Sequence, residues 1–201
     1  MSATFDFNEE YTLEDNRVLL RPLRLTDEEY LFPFTEAEPD LWQYGTTQVS
    51  GGDHFQRYLA TALRGRAEHT AYPFIVFDKQ LNRYAGSTRF YDYQPDHLST
   101  QLGYTWYGRD FRGTGLNKHS KFLLLSFAFD TLALARVEFR ADANNQRSIA
   151  AMKSIGCTVE GTLRSNLATA FGTRRSSIVL SILADEWDAT VREQLQGQLR
   201  K

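Results

Sequence analysis

The sequence predicts an α+β fold built on a mixed, mostly antiparallel central sheet of about seven strands. Three observations predict it. Seven apolar or alternating runs are bounded by turn residues, two helical stretches separate the first run from the second, and three of the runs follow one another through short turns. Strands joined by such turns pair antiparallel, and strands grouped apart from helices make one layered α+β structure.

Residues 17–23 are rich in apolar side chains and end at Pro22, as an edge strand does. Thr26 and Asp27 open a helix with Glu28 and Glu29 in its first turn, where the helix dipole favours acids. Residues 39–53 mix Pro, Gly, Ser and Thr and read as a loop. From His54 to Glu68, Phe55, Tyr58, Leu59, Ala62 and Leu63 recur at helical spacing. Strands at 72–77, 84–93 and 100–107 follow, with turns at 78–82 and 95–99. Residues 116–132 form a helix with Leu116, Leu123, Leu124, Phe127 and Thr131 near one face. In 136–140, Val137 and Phe139 alternate with charged residues, the mark of a half-buried strand. A short helix at 145–154 is ended by Gly156 as a left-handed cap. Strands at 158–163 and 177–183 enclose a loop, and 186–199 reads as a terminal helix. The chain reads as one domain over 1–201, with 17–187 its core and 188–201 its C-terminal helix.

Composition narrows the function classes. Of 201 residues, 42% are hydrophobic and 13% aromatic, enough for a packed core. A net charge of −2, from 25 acids against 23 bases, gives no general attraction to nucleic acid or to an anionic membrane. No apolar run is long enough to span a bilayer and no signal peptide is evident, so a cytoplasmic protein is expected. Cys157 is the one cysteine, and His54, His69, His97 and His119 are scattered, so no metal site is expected.

The sharpest motif is Gly108-Arg-Asp-Phe-Arg-Gly-Thr-Gly-Leu-Asn-Lys118, between a strand and a long helix. Gly113 and Gly115 let the backbone bend and clear space for a ligand. The free N–H groups at the helix start point outward, and the dipole favours an anion there. Arg112 and Lys118 add positive charge. Such a loop suits a pyrophosphate, although a Gly-rich turn without ligand fits the short pattern equally well. Lysine at 118 breaks the dinucleotide glycine pattern, and no Gly-Lys-Ser/Thr follows for a P-loop.

Arg112-Gly113-Thr114-Gly115-Leu116-Asn117 resembles the Arg/Gln-x-x-Gly-x-Gly/Ala loop of the GNAT N-acetyltransferase superfamily, with Asn117 in place of the last small residue. Residues 102–107, including Trp106 and Tyr107, look like the strand that in this family splays from its neighbour and bonds the pantetheine arm. Asn145-Gln-Arg-Ser148, Gly156-Cys157, Glu160-Gly161, Leu163-Arg164, Arg21-Pro-Leu23 and Glu186-Trp187 are similar to motifs of the branch containing ribosomal-protein N-terminal acetyltransferases. The resemblance implies a central sheet with helices on both faces, acetyl-CoA as cosubstrate, and direct transfer to an amine, either a protein N-terminus or a small amine. It places Trp106, Tyr107, Arg112, Gly113, Thr114, Gly115, Leu116, Asn117, Lys118 and Asn145 on the cofactor, and it makes Ser148 the candidate acid. Two family positions depart from the pattern. Met152 stands where a tyrosine acid is usual, and Leu167 stands where a glutamate base is used. Ser148 and Asn145 equally suit helix-start hydrogen bonding. With both proton-handling positions lost, a non-catalytic acyl-CoA sensor of the same fold is the competing reading. An exposed edge near 177–183 would allow a homodimer.

Overall fold

The computed structural model describes residues 5–199. Along the chain run β1 (Leu13–Glu14), β2 (Val18–Pro22), α1 (Glu28–Ala37), α2 (Gly52–Ala67), β3 (Ala71–Asp78), β4 (Arg83–Gln94), β5 (Ser99–Tyr107), α3 (Leu116–Ser126), β6 (Arg136–Asp142), α4 (Gln146–Ser154), β7 (Thr158–Ala168), β8 (Arg174–Leu183), α5 (Ala184–Glu186) and α6 (Arg192–Leu199). The strands form one sheet in the order β1-β2-β3-β4-β5-β6-β8-β7. Every neighbouring pair is antiparallel except β5 and β6. The expected mixed sheet is therefore present, with an eighth strand. β1 is two residues long, too short to leave a periodic signal.

Alternation along the strands sends side chains to two cores. Ile75 of β3 and Trp106 of β5 pack against Leu31, Phe55, Tyr58, Leu59 and Ala62 from α1 and α2. Phe74 and Val76, one residue either side of Ile75, face the opposite way and join Leu116, Leu124, Ile149, Met152 and Leu195 from α3, α4 and α6. Helices on both faces bury both sides of β3, which reads as a nearly continuous apolar run for that reason. Each such Phe, Leu or Ile contributes roughly 1.5–3 kcal/mol through burial.

Several boundaries differ from expectation. α2 starts at Gly52, two residues before the expected His54. α3 ends at Ser126, and a wider π-helical turn spans Phe127–Thr131. That wider turn brings Phe127, Ala128 and Phe129 against the core in succession, which a 3.6-residue period does not. The segment 177–183, expected at a free edge, lies in β8 between β6 and β7. The edge at this end of the sheet belongs to β7, which carries exposed Val159, Leu163 and Leu167.

Two irregularities shape the centre of the sheet. β5 pairs with β6 only from Ser99 to Gln101, against Arg136–Glu138. Beyond that point β5 continues along β4 to Tyr107 while β6 continues along β8 to Asp142, so the two part as a wedge. Beside the wedge, Arg89 faces Gly103 but Ser87 faces Trp106, so Tyr104 and Thr105 together oppose Thr88. This is a β-bulge, with Tyr104 at φ +50°, and bulges of this kind re-aim a strand beside a site.

Candidate active site

The glycine loop connects the end of β5 to α3 and leads away from the open side of the wedge. Gly113 and Gly115 have φ of +73° and +88°, conformations that side-chain-bearing residues adopt at a cost. A Cβ added at either would meet nothing within 4 Å. Backbone geometry therefore favours glycine at both positions, and the space beside them is open. Among the described residues, the N–H groups of Gly113, Thr114, Gly115 and Asn117 have no acceptor, whereas those of Lys118 and His119 bond Gly115 O at 2.9 and 3.3 Å. Leu116 is buried and anchors the helix start. Thr114 Oγ1 donates to Phe111 O at 2.9 Å and closes the turn. Unpaired amides at a helix start, facing open space, make an anion cradle.

The charges around this cradle come from three elements. Arg112 Nε donates to Tyr107 O at 2.9 Å, and its Nη2 bonds Glu38 Oε2 at 2.7 Å. Glu38 also accepts from the Arg109 N–H at 2.7 Å, so it clamps the loop to the end of α1. Arg112 is thus a frame residue as well as a charge. Burial, and then Arg147 of α4, make its guanidinium a weaker hold on its proton than usual, with Glu38 opposing. The charges of Arg147 and Arg109 both bear on Arg112. A groove of about 650 Å³ borders the loop at Glu38 and Arg109 on the α1 side, and its lining includes no residue of the wedge.

The other residues named from sequence occupy distinct positions. The side chains of Trp106 and Tyr107 are buried, Trp106 donating to Tyr58 Oη at 3.0 Å. Burial pushes the Tyr107 phenol up to about 12. Asn145 caps α4, its Oδ1 accepting from the Ser148 N–H at 3.1 Å. The Ser148 hydroxyl is half-buried and has no protein partner among the described residues. Lys118 is half-buried at the loop.

Several polar residues are engaged by partners within the fold. His119 is half-buried and its Nδ1 lies 2.6 Å from Asp15 Oδ2. Asp92 accepts from Gln101 Nε2 at 2.7 Å, and Glu138 is paired with Arg136 and Arg140. Lys121, whose spacing of one helical turn from Lys118 suits either a place beside the phosphates or a solvated face, is 4% exposed. Its Nζ donates to Thr105 Oγ1 at 2.8 Å and Thr88 Oγ1 at 3.4 Å, and lies 5.8 Å from the centre of the Phe139 ring. Burial lowers its pKa to about 7. Nearby Cys157 is buried, its thiol pushed up to about 12 by burial, which makes it a core residue rather than a nucleophile. Among the described residues, no cluster of metal-ligating side chains occurs and no helix is long and apolar enough to cross a membrane.

A splayed strand pair with an anion cradle at the following helix matches the arrangement that the sequence resemblance implies. The chain belongs to the GNAT acetyltransferase family: the acetyltransferase (GNAT) domain model matches residues 17–158. It is similar to p20 of Bacillus licheniformis, named an uncharacterized N-acetyltransferase, at 27% identity over 76% of this chain and 85% of that one. It is also similar to YdaF of Bacillus subtilis (strain 168), provisionally named a ribosomal N-acetyltransferase, at 32% identity over 57% of this chain and 60% of that one. A crystal structure of a provisionally named acetyltransferase from T. thermophilus superposes with a TM-score of 0.85 at 27% identity, covering 95% of this chain and 98% of that one. The protein is an N-acetyltransferase of a family that uses acetyl-CoA.

Proposed function

We propose that this enzyme holds acetyl-CoA by its pyrophosphate at residues 112–117 and passes the acetyl group directly to a primary amine, in the first place a protein N-terminus. One observation carries the reading: four unpaired amides at the α3 start, with open space at Gly113 and Gly115, lie at the end of the strand that borders the wedge. An extended pantetheine arm would run from that cradle along Trp106 and Tyr107, using their backbone groups, with the Asn145 amide beside it. Lys118, with the guanidiniums of Arg109, Arg112 and Arg147, would neutralise the phosphates. The thioester then sits in the wedge, where a backbone N–H of the bulged β5 is a donor for the tetrahedral oxyanion. Ser148 is the group assigned to hydrogen-bond the departing sulfur. Holding thioester and amine within bonding reach supplies much of the acceleration. The preference for a protein amine over a small one is supported by the name of the B. subtilis relative, a ribosomal N-acetyltransferase.

Isothermal titration with acetyl-CoA, followed by free-thiol release with a panel of peptides bearing free N-termini and of small amines, tests this. Micromolar binding with thiol release on a peptide is expected. Release with small amines alone would move the acceptor class, and no binding would overturn the cradle.

A further inference from the structure

We infer that Lys121 is the base of the acetyl transfer, its amine taking the proton that the attacking nitrogen must lose. The inference rests on the reading above, in which the thioester lies in the wedge between β5 and β6. An acyl transfer to an amine needs a group to accept that proton, and the two positions where family members carry proton-handling side chains hold Met152 and Leu167. Neither can accept a proton.

Lys121 lies where such a group is needed. Reaching from the second turn of α3, it bonds Thr105 in the bulge of β5 and approaches Phe139 of β6, so its nitrogen bridges the two strands beyond their last pairing. The groups facing it are Thr88 from β4, Thr105 from β5, Phe139 from β6, and Cys157 before β7. The charge of Glu186 of α5 bears on the Cys157 thiol. The amine itself has no carboxylate partner among the described residues. Its two acceptors are neutral hydroxyls that also bond each other at 2.7 Å. A charged ammonium would bury a third N–H without an acceptor, at a cost comparable to a lost hydrogen bond. A neutral amine satisfies both acceptors and keeps a lone pair. The lowered pKa agrees with this form, since burial penalises the charge more than the nearby Cys157 favours it.

The step balances. The C–N bond forms as the amine attacks the thioester carbon, and the nitrogen proton moves to Lys121 Nζ. The C–S bond then breaks with its electron pair remaining on sulfur, which Ser148 hydrogen-bonds. The proton on Lys121 passes to that sulfur, giving the amide, free CoA and the neutral amine again.

The test compares Lys121→Met and Lys121→Arg with the unaltered enzyme, using acetyl-CoA and a peptide with a free N-terminus. Lys121→Met is expected to keep its calorimetric affinity for acetyl-CoA within about threefold. Its kcat should fall by roughly 10²–10⁴, the range of acid–base residues. The unaltered enzyme should lose kcat as pH falls through about 7, and that limb should be absent from the residual activity of Lys121→Met. Lys121→Arg, a permanent cation, should not restore turnover. A kcat within twofold of normal, with the limb intact in Lys121→Met, would make Lys121 a fold residue. Carbon-13 NMR of the lysine side chains in the unaltered free protein is independent of variant folding and of acceptor. A lysine titrating near pH 7 is expected, and titration of every lysine near the ordinary ~10.4 overturns the inference. Failure of the unaltered protein to bind acetyl-CoA would sink the cofactor reading itself, whereas normal turnover of Lys121→Met sinks the base alone.

Discussion

The two ends of the first six residues of α3 make opposite use of water. At the N-terminal end, Gly113 and Gly115 stand exposed in left-handed conformations and the amides around them have no acceptor. One and a half turns on, Lys121 is sealed under β4, β5 and β6 with its hydrogen bonds supplied by two threonines. An open cradle lets a large anion enter and leave, because its partners are backbone dipoles that stay solvated until the ligand arrives. A sealed amine can be neutral at working pH because solvent is kept out. One helix thus joins a site for binding to a site for proton transfer, at different dielectric.

The largest expected effect strikes the open end. Replacing Gly113 and Gly115 together with valine should cut acetyl-CoA affinity by more than ~100-fold, since left-handed φ is unfavourable for a β-branched residue by about 1–2 kcal/mol at each site and the new side chains fill the cradle. Neither valine meets a neighbour at its Cβ, so the circular-dichroism spectrum should be unchanged. Calorimetry showing normal affinity in a folded variant would remove the loop from the site.

The sealed end should respond in stability. Lys121 has a folded pKa of about 7 against an ordinary 10.5. Because the folded value is depressed, the unfolded chain binds a proton that the fold refuses between those limits. Stability from this group is therefore complete above pH 10.5, declines as pH falls to about 7, and is flat below. The loss amounts to about 5 kcal/mol at most, at 1.36 kcal/mol per unit. Lys121→Met removes the titration, so its denaturant midpoint should exceed that of the unaltered protein at pH 7 and the advantage should shrink by pH 10. An advantage constant over that range would mean that the amine is charged in the fold and that the wedge is wet.

How far each end is legible in the sequence follows from the range of its interactions. The cradle is written within six residues, because a left-handed backbone selects glycine locally and a helix start follows at once. Lys121 sits three residues after Lys118, a spacing that reads as a flank of the phosphates or as a solvated helical face. Its burial is decided by Thr88 and Thr105, 33 and 16 residues away, and no local pattern encodes those contacts. Glu38, which clamps Arg112 across 74 residues, leaves no local signal for the same reason. The strand order shows a similar limit. Seven strands are readable from apolar runs, but the crossing that places β8 inside β7 is fixed by pairing with β6, so apolar pattern alone puts the free edge on the wrong strand.

Between the two ends lies Ser148. Its hydroxyl is without a protein partner among the described residues, so Ser148→Ala removes no internal bond. If that hydroxyl stabilises the departing sulfur, kcat should fall by roughly 10²-fold with acetyl-CoA affinity unchanged. Thiol-release assays giving a twofold change would leave Ser148 as a surface residue of α4.

The smallest effect separates capping from cofactor contact at Asn145. Its Oδ1 accepts from the Ser148 N–H, which satisfies one of the open donors at the α4 start. Asn145→Asp keeps that acceptor and Asn145→Ala removes it, so only the alanine variant should lose stability, by about 1 kcal/mol. The Nδ2 of Asn145 makes no bond within the described residues, and a pantetheine carbonyl is the acceptor proposed for it. Aspartate lacks that donor, so it should weaken acetyl-CoA binding several-fold while leaving the melting temperature near normal. A stable aspartate variant with normal affinity would confine Asn145 to the helix cap, and the open cradle would then extend no further than α3.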